Sequence, residues 1–264
     1  MANTPIVADD KSRYDVAARS DAVDHGITAP DASQLITEDD TPVDNFASAK
    51  QQRLLVSSLY SAFARSTPDT IFLAESDVGI FHADGKPPVV PDVFVSFDIQ
   101  VPENWWDKPN RSYLMWKFGK PPEIVIEVVS NQVGNELESK LATYEDLRIS
   151  YYAVYDPSHQ LGEETLQLFE LRGRRYAAIS DLWMEQVKLG LTLWEGDFEG
   201  RTDLWLRWCD KEGKVFFTGD EQAELAQQKV EQVSIRAEQA ERRAERLAAI
   251  LKAQGIDPDI LPDV

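Results

Sequence analysis

The sequence predicts a mixed α/β domain over residues 47–217, followed by a coiled-coil-like helix over residues 218–254. Three observations carry this prediction. Short strand-like apolar runs recur from Ile71 onward, separated by turn residues. Helical-period segments stand before and among them. Beyond Thr218 the strand-like pattern stops, and small apolar residues fall at alternating spacings of three and four.

Residues 1–46 hold ten acids against three bases and no sustained apolar period, which reads as an acidic, disordered tail. In Ser48–Phe63, Leu54, Leu55, Leu59, Tyr60 and Phe63 share one side of a helix. Strand-like runs follow at Ile71–Leu73, Val78–Phe81 and Val89–Phe97, with Asp84-Gly85-Lys86 as a hairpin turn between the last two. Residues 98–120 form a long connection of the kind that often carries function. Its second half interleaves basic and aromatic residues. Trp105, Trp106, Lys108, Arg111, Lys117 and Lys120 are candidates for stacking on bases or contacting backbone phosphates; an aromatic flap over the core is the competing reading.

After the run Ile124–Ser130, a helix is expected from Asn135 to Leu147, with Asn135 as cap and Glu138 in the capping-box position. Tyr151–Asp156 reads as a core strand ended by Pro157. Strands beginning near Leu166, Leu189 and Leu204 complete the domain, with Gly173, Gly190 and Gly213 near turns. Thr218 and Glu221 form a second capping box. Behind them Ala223, Ala226, Val230, Val233, Ala237, Ala240, Ala244, Leu247 and Leu251 make a heptad seam, stopped by Gly255 and Pro258. In a parallel dimer Arg236 would face the Glu241 position of the second copy, which favours a homodimer over another coiled-coil partner; a single helix docked on its own domain is the alternative. Residues 255–264 read as a short tail.

Composition narrows the function classes. A hydrophobic fraction of 43% with seven tryptophans suits a globular centre, and no stretch approaches the roughly 20 apolar residues a bilayer crossing needs. The N-terminus lacks a basic end followed by an apolar core, so no secretion signal and a cytoplasmic location are expected. Cys209 stands alone, which excludes an internal disulfide and a cysteine-rich zinc site. The formal net charge of −19 argues against a generic nucleic-acid binder, although the acids are concentrated at the N-terminal end.

Two carboxylates stand inside apolar strand-like runs, Asp92 in PDVFV and Glu127 in IVIEVVS. An ionised group there costs several kcal/mol unless partnered. Alternation puts Asp92 with Phe94 and Ser96, and Glu127 with Val125 and Val129, so adjacent strands would bring the acids together. With the Val128 main-chain carbonyl, they offer hard oxygens to Mg²⁺, for which Mn²⁺ can substitute. Lys140 falls inside the apolar arc of its helix beside Leu141, Tyr144 and Leu147, so it must reach an anion: Glu127 or a scissile phosphate. Glu138 falls on the solvent side and is rejected, although Glu138-Ser139-Lys140 spells E-x-K. An ordinary buried ion pair is the bland alternative. Glu75 and Asp77 are weaker candidates for a supporting acid.

The stretches PPVVPDVFVSFD (87–98), GKPPEIVIEVVS (119–130), Lys140, Tyr144 and YYAVYDP (151–157) resemble the Uma-two family of putative restriction endonucleases, within the PD-(D/E)xK nuclease superfamily. A similar pattern extends from residue 50 to about 214. The resemblance implies a restriction-endonuclease-like mixed central β-sheet flanked by helices and Mg²⁺-dependent cleavage of DNA phosphodiester bonds. Asp92 matches the acid of the PD motif and Glu127 that of the second motif. The chain departs from E-x-K, because Val129 stands where the lysine would be, and Lys140 takes that role from the helix. A non-catalytic interaction protein descended from a nuclease, and a nuclease acting on RNA or branched nucleic acid, stay open as alternatives.

Overall fold

The computed structural model describes residues 45–83, 86–107, 110–131 and 135–255. The expected N-terminal tail up to residue 44, Asp84 and Gly85 of the expected turn, Lys108, and the tail after Gly255 lie outside them.

Asn45 caps α1 (Phe46–Ser58), its Oδ1 accepting from the N–H groups of Ala47 and Ser48. The helix continues through a π-helical segment, Leu59–Phe63, into a last turn, α2 (Ala64–Ser66). The strands are β1 (Phe72–Ser76), β2 (Ile80–Phe81), β3 (Val93–Phe97), β4 (Tyr113–Leu114), β5 (Ile124–Val128), β6 (Tyr151–Tyr155), β7 (Leu166–Arg172), β8 (Arg175–Ile179), β9 (Trp183–Met184), β10 (Leu189–Phe198) and β11 (Arg201–Cys209). Two short helices, α3 (Met115–Phe118) and α4 (Leu141–Leu147), precede α5 (Gly219–Ala253).

A six-stranded sheet in the order β1-β3-β5-β6-β7-β8 forms the centre, with β5 and β6 parallel and its other pairs antiparallel. Alternation along β3 and β5 builds two apolar layers. Val93, Val95, Ile124 and Ile126 pack with Leu55, Leu59 and Phe63 of the first helix and with Leu206 and Trp208 of a three-stranded sheet, β11-β10-β9. Phe94, Val125, Tyr152 and Val154 face the other way, onto Tyr144 and Leu147 of α4 and onto Ile80 and Tyr113. The expected mixed α/β architecture is therefore present.

Several local expectations need correction. The run Val89–Phe97 is not one strand: Val89 makes only an isolated antiparallel bridge to Ile80, and the ladder begins at Val93. The 98–120 connection is partly structured, since Tyr113–Leu114 pairs in parallel with β2 and leads into α3. Gly190 stands near the turn at 185–188, as expected, but is itself the second residue of β10, where a Cβ would stand 2.8 Å from Cys209 Sγ, so close packing requires the glycine. The Asn135–Glu138 capping box does not form. Asn135 is left-handed, at φ 54°, and its carbonyl accepts from Glu138 N and Lys140 N, opening the helix as a π turn over Glu136–Lys140.

The C-terminal helix starts as expected, with reciprocal hydrogen bonds between Thr218 and Glu221. From Ala223 to Leu247 its seam is exposed, and Val230 and Val233 are 69% and 65% accessible, so that stretch is not docked against the domain. A surface cluster links the first helix to the β10–β11 turn, where Lys50 and Arg53 both pair with Glu199 at 2.7 Å. Hydrogen bonds from Arg53 and then Lys50 hold the Glu199 carboxyl down to about 2. The stability it contributes is present above the ordinary carboxylate range and fades as pH falls from about 4.5 toward 2. Glu199→Gln should therefore destabilise slightly at pH 7, by less than about 1 kcal/mol for so exposed a pair, lowering the melting temperature there more than at pH 2, where most of the effect is gone. Thermal melts at the two pH values check this.

Candidate active site

The β3–β5 register pairs Val93 with Ile126. Continued one step beyond the ladder, it sets Asp92 opposite Glu127. The β1–β3 register, which ends at Ser76 and Val93, likewise sets Asp77 opposite Asp92 when continued. The acids thus gather at the ends of three adjacent strands, where the ladders stop, although Asp77 itself leaves the strand conformation at φ 54°.

Each carboxylate is held from the protein side. Asp92 Oδ2 accepts from Val128 N–H at 2.6 Å, and its Oδ1 accepts from Gln52 Nε2 at 3.1 Å. The same Gln52 amide reaches Asp77 Oδ1 at 3.3 Å and so bridges two of the acids from α1. Glu127, 2% exposed, accepts from Lys140 Nζ at 3.0 Å and from the Tyr144 hydroxyl. Lys140 Nζ also reaches Glu136 Oε1, at 3.3 Å. Glu136 is itself buried, and its Oε2 has no hydrogen-bond partner among the described residues.

Burial dominates the electrostatics. It raises the Asp92 carboxyl above its ordinary range against the opposing pull of the Val128 N–H and Lys140. Burial and then the facing charge of Asp92 push Glu127 up to about 8. Burial also works against the charge of Lys140, but Glu127 and Glu136 outweigh it and the ammonium is held more firmly than usual. One cation among Asp92, Glu127 and Glu136 leaves the cluster with uncompensated negative charge, the environment a hard cation would relieve.

Among the described residues, no group of three or more His, Cys, Asp or Glu converges to hold a metal ion. Two carboxylates do converge, and that donor set fits Mg²⁺, which commonly takes one or two protein carboxylates and completes its shell with water and substrate phosphate. The carboxylate oxygens keep further lone pairs beyond the hydrogen bonds they accept. Val128 contributes its N–H to the cluster through Asp92.

The other candidates are scattered. Glu75 lines a separate aromatic cavity with Trp105, Trp106 and Arg111. Arg111 Nε donates to the Trp106 carbonyl at 2.6 Å, Lys117 to Asn110 Oδ1, and Lys120 pairs with Glu123 at 2.6 Å. Trp105 and Trp106 are exposed.

Gln52 and Glu136, which sequence reasoning missed, and the hydroxyl of Tyr144, which it placed beside Lys140 but gave no role, complete the cluster. Gln52 sits three and seven residues before Leu55 and Leu59, so a glutamine on the buried stripe was the available signal. Glu136 precedes Lys140 by four residues.

Comparison with protein families finds a match to the Uma2 model, described as putative restriction endonuclease, over residues 36–194. This covers more than half of the chain. The chain belongs to the Uma2 family. No curated protein matches it. The Uma2 match contains Gln52, Asp77, Asp92, Glu127, Glu136, Lys140 and Tyr144, and leaves β11 and α5 outside it.

Proposed function

We propose that this Uma2 protein is a Mg²⁺-dependent endonuclease that hydrolyses DNA phosphodiester bonds, with Mn²⁺ able to substitute. The observation that carries the reading is the placement of Asp92 opposite Glu127, with Lys140 Nζ 3.0 Å from the Glu127 carboxylate. Asp92, Glu127 and the Val128 carbonyl would hold the metal. Bound there, it would polarise the phosphate and lower the pKa of an attacking water. Lys140 orients that water and stabilises charge developing on the phosphate oxygens. Gln52 and Tyr144 fix the carboxylates, so that the site is preorganised before substrate arrives. Glu136 keeps Lys140 charged and within reach, and Asp77 supports Asp92 through Gln52. Trp105, Trp106, Lys108, Arg111, Lys117 and Lys120 would contact the nucleic acid outside the reacting phosphate.

A homodimer through the exposed heptad seam of α5 would present two such sites to a duplex. Lys229, Arg236 and Arg243 occupy equivalent flanking positions one residue before the seam residues Val230, Ala237 and Ala244. They would repel one another in an antiparallel pair, whereas the parallel arrangement brings Arg236 to Glu241 of the second copy.

No helix among the described residues is long and apolar enough to cross a membrane. We place the protein in the cytoplasm, where DNA is accessible. The test is incubation of the protein with supercoiled plasmid in Mg²⁺, Mn²⁺ or EDTA. Nicked and linear products with either metal and none with EDTA are expected. Products that persist in EDTA would contradict the metal-dependent reading.

A further inference from the structure

Beside the carboxylate cluster, on the same face of the central sheet, a cavity of about 770 Å³ is lined by Phe94, Tyr113, Trp105, Trp106, Arg111 and Glu75. Its position follows from the strands. Glu75 pairs with Phe94, and Phe94 lies two residues from Asp92, about 7 Å along the chain direction of β3. That is the scale of the step from one phosphate to a neighbouring base.

The lining has two unusual properties. Trp105 and Trp106 are 56% and 77% exposed, which leaves indole faces open at the rim, and Arg111 anchors the turn that carries them. Glu75 is half-buried among aromatic rings and has no hydrogen-bond or ion-pair partner among the described residues. A carboxylate in such surroundings is costly unless a ligand supplies donors. Burial alone raises its pKa.

We propose that this cavity binds an unstacked nucleobase bearing an exocyclic amine, cytosine, adenine or guanine but not thymine, adjacent to the cleaved phosphate. An indole face stacks on the ring, and the Glu75 carboxylate accepts from the amine. The proposal rests on the nuclease reading of the neighbouring carboxylates. Stacking on tryptophan tolerates any base. The carboxylate does not, because cytosine presents an N4 donor where thymine presents an O4 acceptor. Glu75 is half-buried, so the amine contact discriminates more strongly than it would at a fully open surface.

The test titrates the full chain, in EDTA at pH 8, with short single-stranded oligo-dC and oligo-dT while tryptophan fluorescence is read. Wild type should bind oligo-dC at least about fivefold more tightly than oligo-dT, a discrimination within the range of a single specific base contact. Glu75→Gln should abolish that preference. Trp106→Ala, at an exposed position that leaves the core intact, should weaken both complexes and remove most of the quenching. Equal affinity of wild type for the two oligomers, a preference that survives Glu75→Gln, or no quenching by either would overturn the proposal. Metal-dependent plasmid cleavage is assayed on the same preparations. Cleavage without base preference removes the pocket alone, whereas base preference without cleavage leaves the pocket standing and removes the nuclease.

Discussion

Asp92→Asn is expected to reduce Mg²⁺-dependent cleavage by about a thousandfold or more while leaving the melting temperature within a few degrees of wild type. The substitution removes the charge and keeps the shape. The substituted amide can still accept from Val128 N–H through its oxygen, and the Gln52 amide can turn to accept from its nitrogen at the cost of its own bond to Asp77, so the two hydrogen bonds that seat the side chain survive. What is lost is one of the two carboxylates proposed to hold the cation. Glu127→Gln should behave alike, since Lys140 and Tyr144 can both still bond the amide. Initial rates on supercoiled plasmid, read beside thermal melts of the same samples, separate loss of the site from loss of the fold. Rates for both variants within about tenfold of wild type would mean that the chemistry lies elsewhere.

The second large effect concerns the attachment of the C-terminal helix. Arg207 in β11 is fully buried, with its guanidinium 4.7 Å from the Trp194 ring centroid and 5.7 Å from that of Phe217. One nitrogen, Nη2, donates to both Glu221 carboxylate oxygens, at 3.0 and 2.8 Å, and to the Phe216 carbonyl at 3.2 Å. Glu221 meanwhile caps α5 by accepting from Thr218 N–H at 2.7 Å. Arg207→Ala therefore removes the stacked cation, opens a cavity and leaves a partly buried carboxylate without its partner. Breaking a buried pair in this way costs on the order of 3–5 kcal/mol, which for a chain of this size lowers the melting temperature by roughly 10 °C. Arg207→Lys should recover only part of the loss, because an ammonium does not reproduce the planar stacking. A fall of less than about 2 °C for Arg207→Ala would show that the pair contributes little to stability.

The sequence revealed much of this arrangement because alternation and helical periodicity are local properties. Asp92 and Glu127 each interrupt an apolar run, and alternation alone puts their side chains on definite faces. A lysine on an apolar stripe called for an anion, with Glu127 and a scissile phosphate both open, and Glu127 meets it at 3.0 Å even though a π turn stands where an ordinary α-helix was expected. The capping box at Thr218 was legible because both partners lie within one turn.

What remained hidden depends on contacts distant in sequence or on local backbone exceptions. Gln52 reaches Asp92 from forty positions away, which no periodicity encodes. The left-handed Asn135 defeats a capping motif whose letters are all present. Ile80–Phe81 lies in a run that read as strand, but its parallel partner Tyr113–Leu114 stands inside what read as loop, and a two-residue strand leaves no pattern to detect.

The most direct test of the central claim, that Asp92 and Glu127 form a divalent-cation site, is calorimetric titration of Mn²⁺ into metal-free wild type and Asp92→Asn. A single saturable site in wild type that disappears in the variant is the predicted result. No saturable binding to wild type, or equal binding by both proteins, would contradict it.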